Sequence, residues 1–534
     1  MKLSPWSLVP MAVMAMAFDL QTSAVARAQP PTAAASSSGT DPIALGSRWE
    51  LFVDDYLIER LEGRAQQRLH RPEPRNVALL TDRPWEGNSC HYRTVFRDGD
   101  VVKMYYQCGH HIVPGVAESS RQQPVKSVLC YAESPDGVTF TRPSLNLYEF
   151  NGSTDNNILF DGDVFKNHGI TIAESGVSVF KDTHPDCPAA AWYKAVAIAR
   201  KPGMRDHAGL VMLQSADRLR WSLMDAEPRI TDGRFDSQNL AFYDAVRGEY
   251  RAYHRDTHRG LRGIKTETSK DFLNWSEPRF LDYGDAPAQA LYTNQVQPYY
   301  RAPHLLVGFP LRYIDRGWSH AMQSLPGLEQ RRLRANIAPR YGTALTDALF
   351  MASRDGLHFK LWDEAFIRPR GGEGNWVYGD NSIAWGLVET PPSIETGHPE
   401  LSLYATEGCW VGESMNVRRY AIRPDGFVSV HAPASGGEVL THPVTFTGDQ
   451  LRLNFSTSAA GSVQVELLDA GGKPIPGFAA TGCPPLFGDH LSHTVHWTGG
   501  ADVSSLQNQI VQIRFVLKDA DLFAFGFSHT GDAP

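Results

Sequence analysis

Four acidic side chains stand where strand-like runs begin or end beside amides and aromatic residues. They are Glu86 in PWEGNSCHY, Asp236 in FDSQN, Asp380 in GNWVYGDNS and Glu407 in ELSLYATEGCW. Carboxyl groups gathered in one pocket can divide the work of proton donor and base or nucleophile, because proximity and burial push their pKa values apart. Cleavage of a glycosidic bond needs such a pair. Each acid also has a plainer reading: Glu86 as a loop cap after Trp85, Asp236 as a strand-start turn, and Asp380-Asn381 as an Asx turn.

The neighbours of these acids suit hydroxyl-rich ligands, since amides and arginines bond hydroxyl groups and aromatic faces cover sugar rings. Asn88, His91 and Tyr92 follow Glu86; Gln238 and Asn239 follow Asp236; Trp376, Tyr378 and Asn381 surround Asp380. Asn167 and His168 in FKNHG, and Tyr292, Asn294 and Gln295 in LYTNQ, open two further runs. His254, Arg255 and Arg312 come from middle strands. That cationic group keeps a phosphate-dependent reaction open beside hydrolysis. A non-catalytic glycan binder would need the same amides and aromatics without a carboxylate pair. In LFVDDYLIE, Asp54-Asp55 interrupts an apolar strand; Asp55 is a binding candidate, and the alternative is a strand that closes the edge of the fold. His110-His111 has no ligand spacing, and no zinc pattern, GxSxG, P-loop or Rossmann fingerprint occurs in the right context. No cofactor is expected, with a structural calcium ion in a central channel left open.

What must position these residues is legible in a repeated phrase: Ser, Asp two residues on, and an aromatic four beyond. It occurs as Ser134-Asp136-Phe140, Ser215-Asp217-Trp221, Ser269-Asp271-Trp275 and Ser353-Asp355-Phe359, with a degenerate copy at Asp425-Gly426-Phe427. The copies lie far enough apart for four strands each, and strand-like runs precede them. This predicts an all-β chain with a five-bladed β-propeller over about residues 46–432. The phrase itself is expected to turn the chain, while the strands nearest the axis line a pocket. From about 436 to 534, alternating strands without the phrase predict a β-sandwich, read as a support.

The 534 residues exceed one compact core. A net charge of −8 argues against nucleic acid or an anionic membrane as partner. Lys2, the apolar run after it and Ala26-Arg27-Ala28 predict a secretory signal peptide over 1–28, followed by a linker over 29–45. Six cysteines permit disulfides after export, without defining a pairing, and most are expected to be buried.

PWEGN, the DGDVVKMYY hairpin and the S-x-DG-x-x-F/W phrase resemble the five-bladed propeller glycoside hydrolases of families 32, 43, 68 and 130. LFVDDYLIE, FDSQNLAFYD, DEAFIRP, GNWVYGDN and LNFSTSAAGSVQVELLDA are similar to secreted bacterial glycosyl-hydrolase-like proteins with a C-terminal β-sandwich. The resemblance implies a carbohydrate substrate and one acid in each of the first three blades. The chain has no WMNDPN, RDP or EC pair, so only Asp236 fits one of those positions. The expectation is a secreted glycoside hydrolase whose acids meet around the axis.

Overall fold

The computed structural model describes residues 41–113, 126–201, 208–372 and 375–532. The expected leader and most of the expected linker lie outside the described residues. Strand accounts for 48% of the chain and helix for 7%, an all-β molecule.

Five antiparallel sheets make the five-blade arrangement. The first comprises His91–Asp98, Val101–Cys108, Val128–Ser134 and Ile158–Asp161, each bonded to the next in sequence. Thr171–Lys181 to Ser222–Leu223 and Leu240–Asp244 to Arg279–Phe280 repeat that meander. The fourth sheet has six strands between Ala290–Leu291 and Phe359–Ile367. The fifth takes Val388–Thr390, Glu400–Glu407 and Asn416–Ile422, and its outer strand is Glu73–Leu80 from the N-terminal side. The ring is therefore closed by hydrogen bonds between the two ends of the propeller segment.

The N-terminal boundary differs from expectation. Trp49–Leu51, Ile58–Gly63 and Gln66–Leu69 pair with the C-terminal strands in one eight-stranded sheet, so the first propeller strand is Glu73–Leu80. Ile43–Gly46, expected in the linker, pairs in parallel with Val444–Phe446. Val428–Ala432, expected in the propeller, also joins this sheet. Its two long strands, Gln450–Leu468 and Gln512–Ser528, wrap an apolar core that includes Phe52, Phe455, Phe515 and Phe525. Asp54 and Asp55 lie where this sheet meets the fourth blade. Arg354 donates to both Asp54 oxygens at 2.7 and 3.2 Å, and Lys360 reaches Asp55 at 2.9 Å. The paired acids thus cement a seam, and Asp55 faces away from the axial pocket described below.

The repeated phrase forms one turn in each of its four full copies. Ser134 Oγ donates to Asp136 Oδ1 at 3.0 Å, Gly137 N–H donates to Ser134 Oγ at 2.9 Å, and Val138 N–H donates to Asp136 at 2.8 Å. Partial burial raises the Asp217, Asp271 and Asp355 pKa values, but the backbone and side-chain donors outweigh it and hold all three down to about 2. The residue after each Asp is left-handed: Gly137, Arg218, Phe272 and Gly356 have φ of 80, 68, 67 and 82°. That conformation turns the carbonyl toward the neighbouring blade, where a buried tyrosine meets it. Tyr404 Oη donates to Gly137 O at 2.6 Å, Tyr253 Oη to Gly356 O at 2.9 Å, and Tyr105 Oη to Arg218 O at 3.3 Å. Between the second and third blades Phe272 packs on Phe180 and Tyr250 instead. The degenerate fifth copy is different again: the Asp425 carboxylate itself accepts Tyr299 Oη at 2.7 Å, along with Arg301 and Asn454.

The sequence reading placed no helix in the fourth blade, yet Leu328–Ile337 is one, inserted between Leu311–Asp315 and Ala344–Ser353. Pro326-Gly327 before it, a run of good helix formers and Pro339 after it are its local causes. Cys90 and Cys108 form a disulfide across the first blade; Cys130, Cys409 and Cys483 are buried thiols and Cys187 is half-buried. No helix among the described residues is long and apolar enough to cross a membrane.

Removing a latch hydroxyl leaves a buried carbonyl without a donor. Tyr404→Phe and Tyr253→Phe should each lower unfolding free energy by about 1 kcal/mol. The two are on different blades, so urea unfolding of the double variant should show the sum within about 0.5 kcal/mol. Unchanged urea midpoints would show that the latches contribute nothing.

Candidate functional site

At one end of the propeller axis the strand openings and the short turn Arg340–Thr343 that follows the inserted helix border a cavity of about 660 Å³. The axis beneath it is closed by side-chain amides. Gln295 Nε2 donates to Gln238 Oε1 at 2.8 Å and to Ile383 O at 2.7 Å, and Gln238 Nε2 donates to Arg93 O at 3.1 Å. These bonds tie the first, third, fourth and fifth blades across the centre. A calcium ion needs six or more oxygen ligands. Here the Gln238 oxygen and both carbonyls each accept one N–H donor, and the buried Gln295 Oε1 has no hydrogen-bond partner. Among the described residues no three His, Cys, Asp or Glu side chains converge as metal ligands.

Asp236, His91, Tyr92, Tyr292 and Tyr378 all line the cavity, so five residues singled out in sequence do meet. Asp236 is 64% exposed and accepts Arg255 Nη1 at 3.2 Å, while the same guanidinium lies 5.6 Å over the Tyr292 ring. Tyr92 and Tyr292 join hydroxyl to hydroxyl at 2.7 Å. Burial, and then the nearby Asp236 charge for Tyr92 and the Tyr92 hydroxyl for Tyr292, raise both phenols, so they remain hydrogen donors. Burial first, then Arg93 and Arg334, push His91 down to about 3, leaving a neutral imidazole. Tyr92, Gln295 and Asn381 hold left-handed backbone at φ of 50, 50 and 63°, conformations that cost energy and need support from their surroundings.

One wall was not anticipated. Trp410 stacks on His111 at 4.2 Å and meets Tyr341 edge-on at 4.9 Å; Tyr341 in turn stacks on Tyr378 at 5.7 Å. Asn88, buried below, positions this wall: its Nδ2 donates to His111 O and Gly412 O at 3.0 and 2.9 Å. Its Oδ1 accepts His111 N–H, and its own carbonyl accepts Trp410 N–H. From the inserted helix, Arg334 donates to Cys409 O and Tyr378 O, both at 2.9 Å, and Gln330 donates to Trp410 O at 2.8 Å. The Cys90–Cys108 disulfide lies between lining residues of the adjoining strands. Burial raises the Cys409 thiol to about 12, so it carries no thiolate. The signal missed in sequence was Gly408-Cys409-Trp410, an aromatic in a tight loop after a strand, because attention fell on strand openings.

Other expected residues go elsewhere. Glu86 is fully buried, accepting Arg142 Nε and Nη2 at 2.8 and 2.9 Å and Tyr106 Oη at 2.6 Å. Glu407 is held between Arg370 and Arg418. His254 is buried against Glu267 at 2.7 Å. Asn294, Asn239 and Asn381 bond backbone inside the blades, and Asn167 and His168 lie on an exposed turn. Arg312 is paired bidentately with Asp347 and, with Trp376, lines a separate cavity of about 350 Å³ beside the fourth blade. For Glu86, Glu407, His254, Arg312 and the three blade asparagines, an arginine, a carboxylate or a backbone group satisfies the side chain that sequence alone leaves open.

Asp380 sits fully buried under the floor, between the lining residues Gly379 and Cys409. Its Oδ1 accepts Cys409 N–H at 2.8 Å, and its Oδ2 has no partner. Burial raises its pKa well above the usual carboxylate range, against the opposing pull of backbone N–H groups and Arg334.

No family model and no curated protein matches the chain. Several solved structures resemble it. An exo-β-1,3-galactanase from Phanerochaete chrysosporium is 10% identical, with 86% of this chain and 99% of that one covered and a TM-score of 0.36. A glycosyl hydrolase from Bacteroides ovatus is 13% identical over 71% and 95%, at 0.35. A β-1,2-mannobiose phosphorylase from Listeria innocua is 12% identical over 66% and 97%, at 0.38.

An acid whose folded pKa exceeds its unfolded value binds more protons when folded, so its contribution to stability falls as pH rises above about 4. Asp380→Asn keeps the bond to Cys409 and removes that dependence. Its melting temperature should gain on wild type as pH rises above about 4. A gap that stays constant or narrows would mean that Asp380 is charged in the folded protein.

Proposed function

We propose that the chain is an exported glycoside hydrolase acting on an oligo- or polysaccharide in the axial cavity. The observation that carries this reading is Asp236, a carboxylate exposed in a closed-ended cavity walled by Trp410, Tyr341, Tyr378 and Tyr292. Aromatic faces take the apolar faces of sugar rings, and the Tyr92–Tyr292 hydroxyl pair and backbone groups of the strand openings bond hydroxyls. Asp236 supplies the carboxylate that activates water or attacks directly; the second acid is assigned to Asp380, which burial holds toward its protonated form and which must be uncovered from beneath Gly379 and Cys409 to reach a ligand. Export rests on the leader-like sequence before Gln29 and its Ala26-Arg27-Ala28 cleavage site.

A glycan-binding propeller is the second reading. It is favoured by one observation: Asp236 is the single carboxylate among the described residues that line the cavity.

A glycan panel assayed for both reducing-sugar release and binding separates the two. Under the hydrolase reading Asp236→Asn and Asp380→Asn each lower release by about 10²–10⁴-fold with binding retained. Trp410→Ala weakens binding itself. Saturable binding without release by the wild-type protein establishes the binding propeller instead.

A further inference from the structure

The cavity is opposite in charge to the protein. The chain carries a net charge of −8, whereas Lys126, Arg200 and Arg340 line the cavity against the one carboxylate of Asp236. Asp236 is matched by Arg255, and Lys126 by Asp161 and Asp163 at 2.6 and 2.9 Å. Arg200, at the end of Tyr193–Arg200 in the second blade, and Arg340, after the inserted helix of the fourth, remain. Both are exposed, and among the described residues neither has a carboxylate within ion-pair distance. Arg340 lies 5.2 Å over the Tyr341 ring, so the charge is presented beside the aromatic wall.

The wall itself is backed by buried arginines that form no salt bridge among the described residues. Arg334 is fully buried 5.0 Å from the Trp410 ring, holds only the Cys409 and Tyr378 carbonyls, and its Nε has no partner. Arg331, one helical turn away, is buried on the carbonyls of Met322, Leu325 and Pro326. Neither pairs with a carboxylate among the described residues. Buried charge in a poorly polarisable wall is weakly screened, and its field reaches the adjoining cavity. Burial and Arg334 together push the His111 pKa down, as expected where the potential is positive.

Resting on the carbohydrate reading above, we propose that the cavity takes a glycan bearing an anionic group, a uronate carboxylate or a sulfate ester, seated against Arg200 and Arg340 beside the Trp410–Tyr341–Tyr378 wall. Guanidinium groups present parallel N–H donors that match the paired oxygens of either anion.

The test is calorimetric titration of the full chain with three tetrasaccharides: a neutral galactan, an oligogalacturonate and a sulfated galactan. One of the anionic chains should bind about tenfold or more tightly than the neutral one at low salt, with the advantage shrinking as salt rises. Which anionic chain shows it identifies carboxylate or sulfate. The double variant Arg200→Gln/Arg340→Gln should cut that ratio by about tenfold, and Arg332→Gln, exposed on the inserted helix Leu328–Ile337, should leave it intact. Equal or tighter binding of the neutral chain overturns the charge inference and leaves the glycan reading standing. A charge preference that survives the double variant also overturns it, as does inorganic phosphate occupying the two arginines in place of a glycan anion. If none of the three binds, the inference fails, and a broader panel without binding removes the carbohydrate reading with it.

Discussion

Everything at the cavity depends on how neighbouring blades are held in register, and that is done by a buried tyrosine reaching a turn. The angle between blades is set by side-chain bonds from one sheet to the next, such as Lys181 to Asp98 and Tyr250 to Asp182. The Ser-x-Asp turn supplies one by forcing the following residue into left-handed backbone, which turns its carbonyl outward to a tyrosine of the adjacent sheet. A buried carbonyl and a buried phenol are each unfavourable alone, so their pairing selects one spacing between blades. Because the fifth blade is latched to the first and also borrows Glu73–Leu80, the ring closes by two independent sets of bonds. The strand openings that carry Tyr92, Asp236, Tyr292 and Tyr378 then have fixed positions.

The second organising feature, the Arg255–Asp236 pair in the cavity excepted, is the use of arginine without an acid partner behind the cavity wall and of acid with arginine away from it. Glu86, Glu407, Asp54 and Asp347 all serve as partners for guanidinium groups within or between sheets. Their charges are cancelled where they lie. Arg331 and Arg334 are instead solvated by helix-end and loop carbonyls, which neutralise their hydrogen-bonding needs but not their charge. Asp380 completes the contrast, a carboxyl buried beside these cations whose burial pushes its pKa up rather than down.

Much of the architecture was legible in the chain. The repeated phrase announced the blades, and its Asp residues turn the chain as their spacing implied. The boundary was not: LFVDDYLIE reads as an edge strand equally well in either sheet, and its acids look functional until Arg354 and Lys360 are brought to them from three hundred residues away. The same ambiguity explains Glu86. A buried acid in a strand opening is locally indistinguishable from a catalytic one, and only the position of Arg142 decides.

Local rules acting on this sequence alone determined the all-β class, the turn chemistry and the candidacy of Asp236, His91, Tyr92, Tyr292 and Tyr378. These follow from alternation, Asp and Gly turn preferences and the clustering of polar residues at strand ends, all of which act within a few residues. Tertiary structure decided which carboxylates are free, which aromatic residues form the wall, and what sign of charge the cavity presents. Those properties arise from pairings between distant blades and from a helix inserted in the fourth, and an ionisable side chain has no fixed role until its long-range partner is in place.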